Sequence, residues 1–114
     1  MDPKREFYKS WKPDRPTSRG ATAYHEAVSN AEYYITVLDE LIEILIPKIH
    51  EDDLVVDFGA GTGVSALRLL AHLKVNIELW LVDNSQAWLG KAYEILGSNK
   101  NVKCFLLEKK GETY

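Results

Sequence analysis

Residues 55–63 carry the arrangement that points most directly to chemistry. They read Val-Val-Asp-Phe-Gly-Ala-Gly-Thr-Gly, an apolar run with an aspartate followed by glycine at every second position. Glycine allows backbone conformations that a side chain would block, and it lets a ligand come close to the main chain. A helix that begins at such a turn offers unpaired N–H groups to an anion or a polar ligand. The carboxylate of Asp57 favours a ligand with a positively charged group nearby.

Two nucleotide-binding patterns compete at this turn. The dinucleotide fingerprint is Gly-x-Gly-x-x-Gly, and counted from Gly59 its third glycine would fall at position 64, which is Val64. The third glycine is instead Gly63, and an acidic residue at the strand tip disfavours a pyrophosphate. The spacing therefore argues against a nicotinamide-type dinucleotide, which stays the weaker alternative.

A second carboxylate, Asp83, follows the next apolar run and precedes a segment with helical spacing that contains Trp88. Each of these residues also has an ordinary structural interpretation. Asp57 can cap nearby backbone N–H groups at a strand end, and Asp83 can cap the helix that follows it. Trp88 can be a core residue, because the other residues of its helical stripe are apolar.

Together these residues resemble the class I S-adenosylmethionine-dependent methyltransferases. The first motif of that family, apolar-apolar-Asp/Glu-x-Gly-x-Gly-x-Gly, is matched by residues 55–63. Its second motif, an acidic residue that closes the second strand, is matched by Asp83. Family members often continue Asp-x-Ser-x-x-Met-Leu-x-x-Ala, and residues 83–92 read Asp-Asn-Ser-Gln-Ala-Trp-Leu-Gly-Lys-Ala. The resemblance covers roughly residues 35–108 in order.

The resemblance implies S-adenosyl-L-methionine as the cofactor and assigns roles around it. Asp57 would orient the amino group of its methionine end, and Asp83 would accept hydrogen bonds from both ribose hydroxyls. The main chain of residues 59–61 would lie under the methionine and ribose parts. No catalytic residue is assigned, because the sulfonium carries the activation and the protein aligns the acceptor.

The adenine end of the cofactor is assigned in the same way. Asn84 and Trp88 would flank the adenine, and Glu108, at the end of the third predicted strand, would receive its amino group. The complete set of predicted cofactor-binding residues is Asp57, Gly59, Ala60, Gly61, Gly63, Asp83, Asn84, Trp88 and Glu108.

Strand and helix patterns alternate from residue 54 onward. The predicted elements are strands over 54–58, 77–82 and 102–107 and helices over 64–73 and 85–96. This alternation predicts an α/β, Rossmann-like fold with three parallel strands in the order 3-2-1 and flanking helices. The resemblance implies that these strands form the N-terminal half of a seven-stranded methyltransferase fold.

Two further features concern the ends of helices. Apolar residues at three- and four-residue steps predict one helix from about Ala23 to Ile46, which Pro47 ends. Gly97 is predicted to stop the helix over 85–96.

Length, charge and cysteine content limit which classes of protein this chain can represent. The 114 residues make one small domain, which we divide into a basic, aromatic N-terminal arm over 1–22 and a partial cofactor-binding domain over 23–114. The net charge of −3 argues against a general nucleic-acid binder, although the first twenty residues hold six basic and three acidic side chains. No apolar run reaches the ~20 residues of a membrane helix. The single cysteine, Cys104, favours a reducing, cytoplasmic setting.

Other chemistry finds little support in the sequence. His25, His50 and His72 are scattered, so no metal site is predicted. Cys104 lies among apolar residues and is interpreted as a core side chain rather than a nucleophile.

The sequence therefore predicts the cofactor-binding portion of a methyltransferase that acts on an unidentified acceptor, with too little chain to complete the active site. The alternative is a non-catalytic module, or a truncated fragment, that binds the cofactor or a nucleotide. If the chain ends at Tyr114, strand 54–58 becomes a sheet edge, and we expect another chain or the N-terminal segment to cover it. Self-association through that edge is one form of this expectation.

Overall fold

The computed structural model describes residues 18–108 and contains one sheet of three parallel strands. The strands are β1 (Leu54–Phe58), β2 (Glu78–Asp83) and β3 (Val102–Leu106), in the order β1-β2-β3. Both connections are crossovers, so each strand ends at the same edge of the sheet. The predicted fold class and strand order are confirmed.

The two faces of the sheet differ in what covers them. Leu79 and Leu81 in β2 are fully buried in the core, and the partly buried Val55 of β1 packs against it. Because side chains alternate along a strand, Leu54, Val56 and Phe58 of β1 lie on the opposite face. Val56 is 44% exposed and Phe58 is 74% exposed there. Within the described residues, the helices thus cover one face and leave the other open at β1.

The crossover helices are α3 (Val64–His72) and α4 (Gln86–Leu96). Val64, Leu69, Leu89 and Leu96 belong to the same core as β2. Gly97 follows α4 as predicted, but its backbone is right-handed, with φ −66°. Glycine is required at this position for space, because a Cβ would stand 2.4 Å from the Tyr93 carbonyl oxygen.

The prediction of one continuous helix from Ala23 to Ile46 is wrong. The structure has two helices instead, α1 (Ser18–Ser29) and α2 (Glu32–Leu45), followed by a single 3-10 turn over Ile46–Lys48. The break falls at Asn30 and Ala31, where Ala31 is extended at φ −80° and ψ 94°. The Asn30 side chain donates to the Glu26 carbonyl at 2.8 Å, which is the local bonding that competes with a continuing helix.

Helix α2 is fixed to α3 by an ion pair and by apolar packing. Arg68 donates to both carboxylate oxygens of Asp39, from Nε at 2.9 Å and from a terminal nitrogen. Leu38 and Ile42 of α2 reach the core. The domain boundary predicted at residue 22 stays a prediction; α1 runs across it. No helix in the described part of the chain is long and apolar enough to cross a membrane.

Candidate functional site

The glycine turn after β1 has a backbone that requires glycine at each predicted position. Gly59, Gly61 and Gly63 have φ of +80°, +58° and +89°, a region that other residues rarely adopt. The N–H groups of Gly59 and Ala60 donate to the Val82 carbonyl oxygen at 2.8 and 3.0 Å. The turn is therefore held against the end of β2, and Gly63 precedes the first residue of α3.

Helix α4 packs closely against the glycine turn. A Cβ at Gly63 would stand 3.3 Å from side-chain atoms of Ala92 and Leu96, and a Cβ at Gly61 would stand 3.4 Å from the ring of Trp88. These three residues of α4 are four positions apart, so they form one stripe along the helix. Gly61 and Gly63 thus serve close packing as well as backbone conformation.

Asp83 joins the turn to the start of α4. Its Oδ2 accepts a hydrogen bond from the Gly61 N–H at 2.8 Å, and its Oδ1 accepts one from the Ser85 N–H at 2.8 Å. The helix cap itself is Ser85, whose hydroxyl accepts from the Trp88 N–H at 3.2 Å. Asp83 therefore lies beside the cap and faces the glycine turn.

Asp57 lies on the same side of the sheet. Its register partner is the fully buried Leu81, and residues paired across parallel strands share a face. Its Oδ2 is buried and has no hydrogen-bond partner among residues 18–108. Burial raises the pKa of Asp57, and the negative charge of Asp83 raises it further. A cationic ligand group would compensate both effects.

Helix α1 reaches this site from outside the motif. The Tyr24 ring stacks on Trp88 with ring centroids 4.1 Å apart and planes at 30°. His25 Nδ1 lies 2.9 Å from the hydroxyl oxygen of Thr62, inside the turn. Burial raises the pKa of Tyr24, as do Tyr34 and Asp83.

Known proteins resemble this chain both in sequence and in fold. No protein-family model matches the chain. It is 33% identical over 90 residues to the carboxy-S-adenosyl-L-methionine synthase of Helicobacter pylori strain P12, and 32% identical to that of strain ATCC 700392 / 26695. The match covers 79% of this chain and 36% of each relative. In structure, the chain resembles a proposed S-adenosyl-L-methionine-dependent methyltransferase of Methanococcus maripaludis, with a TM-score of 0.65 and 17% identity over 85% of this chain and 43% of that one.

The chain resembles the class I S-adenosylmethionine-dependent methyltransferases in its sequence over this region and in its fold. The structural likeness shows the shared fold, and the sequence relationship covers the region that includes the glycine turn. Because the chain spans 36% of the length of the curated relatives it matches, it corresponds to only part of such a protein.

The remaining predicted residues of the methyltransferase motifs surround the same edge of the sheet. Asn84 is exposed and directly follows Asp83 at the end of β2. Glu108 is exposed two positions beyond β3, and its neighbour Leu107 donates a backbone hydrogen bond to the Asp83 carbonyl oxygen at 2.9 Å. Ala60 is buried within the turn. The roles of these residues toward a ligand stay predictions.

Tyr24 was one of several tyrosines, with Tyr33 and Tyr34, that the sequence offered as helix-packing residues or as a lining of the pocket, whereas His25 had no signal that assigned it to this site. His25 lies 37 residues before Thr62, and neither belongs to a spacing pattern that links them. Residues 18–108 contain no group of three His, Cys, Asp or Glu side chains placed to hold a metal ion. Burial raises the pKa of the Cys104 thiol, which disfavours the reactive thiolate.

Proposed function

We propose that the chain is the cofactor-binding portion of an S-adenosylmethionine-dependent methyltransferase. The observation that carries the proposal is the buried Oδ2 of Asp57, which has no hydrogen-bond partner within residues 18–108 and lies beside a turn of three left-handed glycines. A ligand with an ammonium group supplies the missing donor, and the methionine end of S-adenosylmethionine has that group. The charge of Asp83 makes the site still more favourable to a cation.

The ribose fits Asp83 by its hydrogen-bonding capacity. A carboxylate has about four lone-pair sites, and each oxygen of Asp83 accepts one backbone N–H. Each oxygen thus keeps capacity for one ribose hydroxyl. The backbone bonds also fix the direction of the carboxylate, so little conformational freedom is lost when the ligand binds.

The adenine is proposed to lie beyond Asp83, where Asn84 and Glu108 provide polar groups and Trp88 an aromatic wall. Trp88 contacts the Tyr24 ring and lies close to Gly61, and these two neighbours fix its position. Its ring would then line the adenine part of the site. The exposed Glu108 is placed by the bond between Leu107 and Asp83 at the end of β3.

The bound cofactor would supply the methyl group, activated by its own sulfonium. The residues of this chain bind and orient it: the glycine turn takes the main body, Asp57 the amino group and Asp83 the ribose. Alignment of the acceptor would require residues that the motifs here do not include, so the acceptor is left unassigned.

A second candidate follows from the sequence relationship. Relatives of 33% and 32% identity are named carboxy-S-adenosyl-L-methionine synthase, so the carboxylated cofactor is a further ligand to test at the same site. A module that binds cofactor without catalysis stays the alternative to both enzymes. Methyl transfer by the purified chain to any acceptor would contradict that alternative.

The setting and assembly of the protein are also proposed. The single cysteine supports a reducing, cytoplasmic environment. Strand β1 pairs only with β2 among the described residues, and its exposed apolar side chains support cover by another polypeptide segment, including a second copy.

The decisive experiment is calorimetry of the chain with S-adenosylhomocysteine, combined with amide chemical shifts of residues 59–63. We expect heat of binding and shifts confined to the turn and its neighbours. Asp83→Asn should weaken binding, whereas Glu94→Gln, on an exposed part of α4, should not. Absence of both heat and shifts would refute the proposal, and tight binding of a nicotinamide cofactor would favour the dinucleotide alternative.

A further inference from the structure

Two consecutive residues link helix α1 to the glycine turn, Tyr24 indirectly through Trp88 and His25 directly through Thr62. They lie outside the family motif, which begins at β1. Ala21, one turn earlier in α1, is fully buried, so the helix is packed onto the domain rather than joined to it by these contacts alone. The two contacts reach the turn by separate routes.

The first route passes through an aromatic pair. Tyr24 stacks on Trp88 at 4.1 Å, and Trp88 Cε3 lies 3.4 Å from where a Cβ at Gly61 would stand. Trp88 therefore contacts both Tyr24 of α1 and the middle glycine of the turn, Gly61. The position of Tyr24 thereby limits how far the Trp88 ring can move away from Gly61.

The second route passes through a hydrogen bond. Thr62 is 1% exposed and lies between the second and third glycines of the turn. Its hydroxyl meets His25 Nδ1 at 2.9 Å. A buried hydroxyl is costly without a partner, so this bond favours the conformation in which the turn presents Thr62 to α1.

We propose that Tyr24 and His25 are positioning residues, and that through Trp88 and Thr62 they make α1 the cover that holds the glycine turn in its ligand-binding shape. The nature of the ligand rests on the proposed function. The contacts themselves concern the protein alone, so they can be tested with or without a ligand.

The test compares each disruptive variant with a conservative one. Tyr24→Ala removes the ring, whereas Tyr24→Phe keeps the stack. Thr62→Val removes the hydroxyl, whereas Thr62→Ser keeps it. The measurements are the dissociation constant for S-adenosylhomocysteine and the hydrogen-exchange rates of amides 59–63, with amides 79–82 of β2 as the internal reference.

We expect Tyr24→Ala and Thr62→Val to weaken binding by roughly fivefold to tenfold, the effect of one aromatic contact or one hydrogen bond. Their turn amides should exchange faster while those of β2 do not change. Tyr24→Phe and Thr62→Ser should behave as the wild type. If Tyr24→Ala does not fold, Tyr24→Leu, which fills the space without a ring, replaces it with the same expected losses.

Two results would overturn the inference. One is wild-type affinity and unchanged exchange in the Ala and Val variants. The other is faster exchange spread equally over the turn and β2, which indicates general destabilisation. If the wild type binds no S-adenosylhomocysteine but the turn amides alone exchange faster in those variants, the proposed function fails and the positioning role is supported.

Discussion

Asp57 and Asp83 approach one glycine turn from neighbouring strands, but among residues 18–108 only Asp83 has hydrogen-bond donors for both carboxylate oxygens. Asp83 accepts hydrogen bonds from the Gly61 and Ser85 N–H groups, both at 2.8 Å. Asp57 keeps a buried oxygen without a partner among residues 18–108. Burial and the charge of Asp83 both raise the pKa of Asp57, so the site is electrostatically unfavourable until a cation enters it.

Asp57→Asn should therefore stabilise the ligand-free protein at neutral pH and weaken its binding of cofactor. A raised folded-state pKa means that the protonated form is favoured on folding, so the contribution of Asp57 to stability is fully present below its unfolded value of 3.8. It is lost as pH rises through the folded value. Because asparagine carries no charge, the variant avoids that loss. Its free energy of unfolding at pH 7 should be higher by about 1 kcal/mol, the low end of the cost of a buried group without a hydrogen bond, because solvent partly screens this carboxylate.

Urea unfolding at pH 7 and at pH 3.5 checks the first half of this prediction, because the advantage of Asp57→Asn should shrink at the lower pH. Calorimetry checks the second half: loss of a charged hydrogen bond should weaken S-adenosylhomocysteine binding by about tenfold or more. Glu40→Gln, on the exposed part of α2, is the control. A destabilised Asp57→Asn with unchanged affinity would contradict the role given to Asp57.

Gly63→Ala and Gly59→Ala separate backbone strain from packing. Both residues have a left-handed φ, +89° and +80°, so each alanine should cost about 1–2 kcal/mol from conformation. A Cβ at Gly59 has nothing within 4 Å, whereas one at Gly63 meets Ala92 and Leu96 at 3.3 Å. Gly63→Ala should thus be the more destabilising in urea unfolding, by about a further 1 kcal/mol from overpacking. If the two variants lose the same free energy of unfolding, α4 must shift enough to accommodate the added methyl group at Gly63.

The sequence was sufficient where the signal is local. Strand β1, the glycine turn and the placement of Asp83 at the next strand tip follow from short patterns of burial and conformation, and each is found where it was expected. The helix break at Asn30 was missed because the apolar period continues through it, while the side chain of Asn30 bonds locally to the Glu26 carbonyl. The contact of His25 with Thr62 was missed because it depends on the packing of α1, which no local pattern encodes.

His25 should make stability depend on pH in the range below neutrality. Burial lowers its pKa, and the charge of Lys91 lowers it further, while Glu26 and Thr62 oppose this. The neutral imidazole is therefore favoured on folding, so its contribution is fully present above the unfolded value of 6.5 and is lost as pH falls through the lower folded value. The thermal midpoint should fall between pH 7 and pH 5 in the wild type, and less in His25→Gln. Parallel curves for the two proteins would exclude His25 as the source.

The exposed side of β1 should determine whether the chain associates with itself. Leu54, Val56 and Phe58 present apolar surface beside a strand edge that has no neighbour among the described residues, an arrangement that recruits further strands. Sedimentation velocity should show concentration-dependent association of the wild type and a monomer for Val56→Lys, because a charge on this surface opposes its burial. Ile44→Lys places the same charge on an exposed apolar position of α2 and should leave association unchanged. A wild type that stays monomeric, with amides 54–58 exchanging rapidly, would show that β1 does not recruit a second copy.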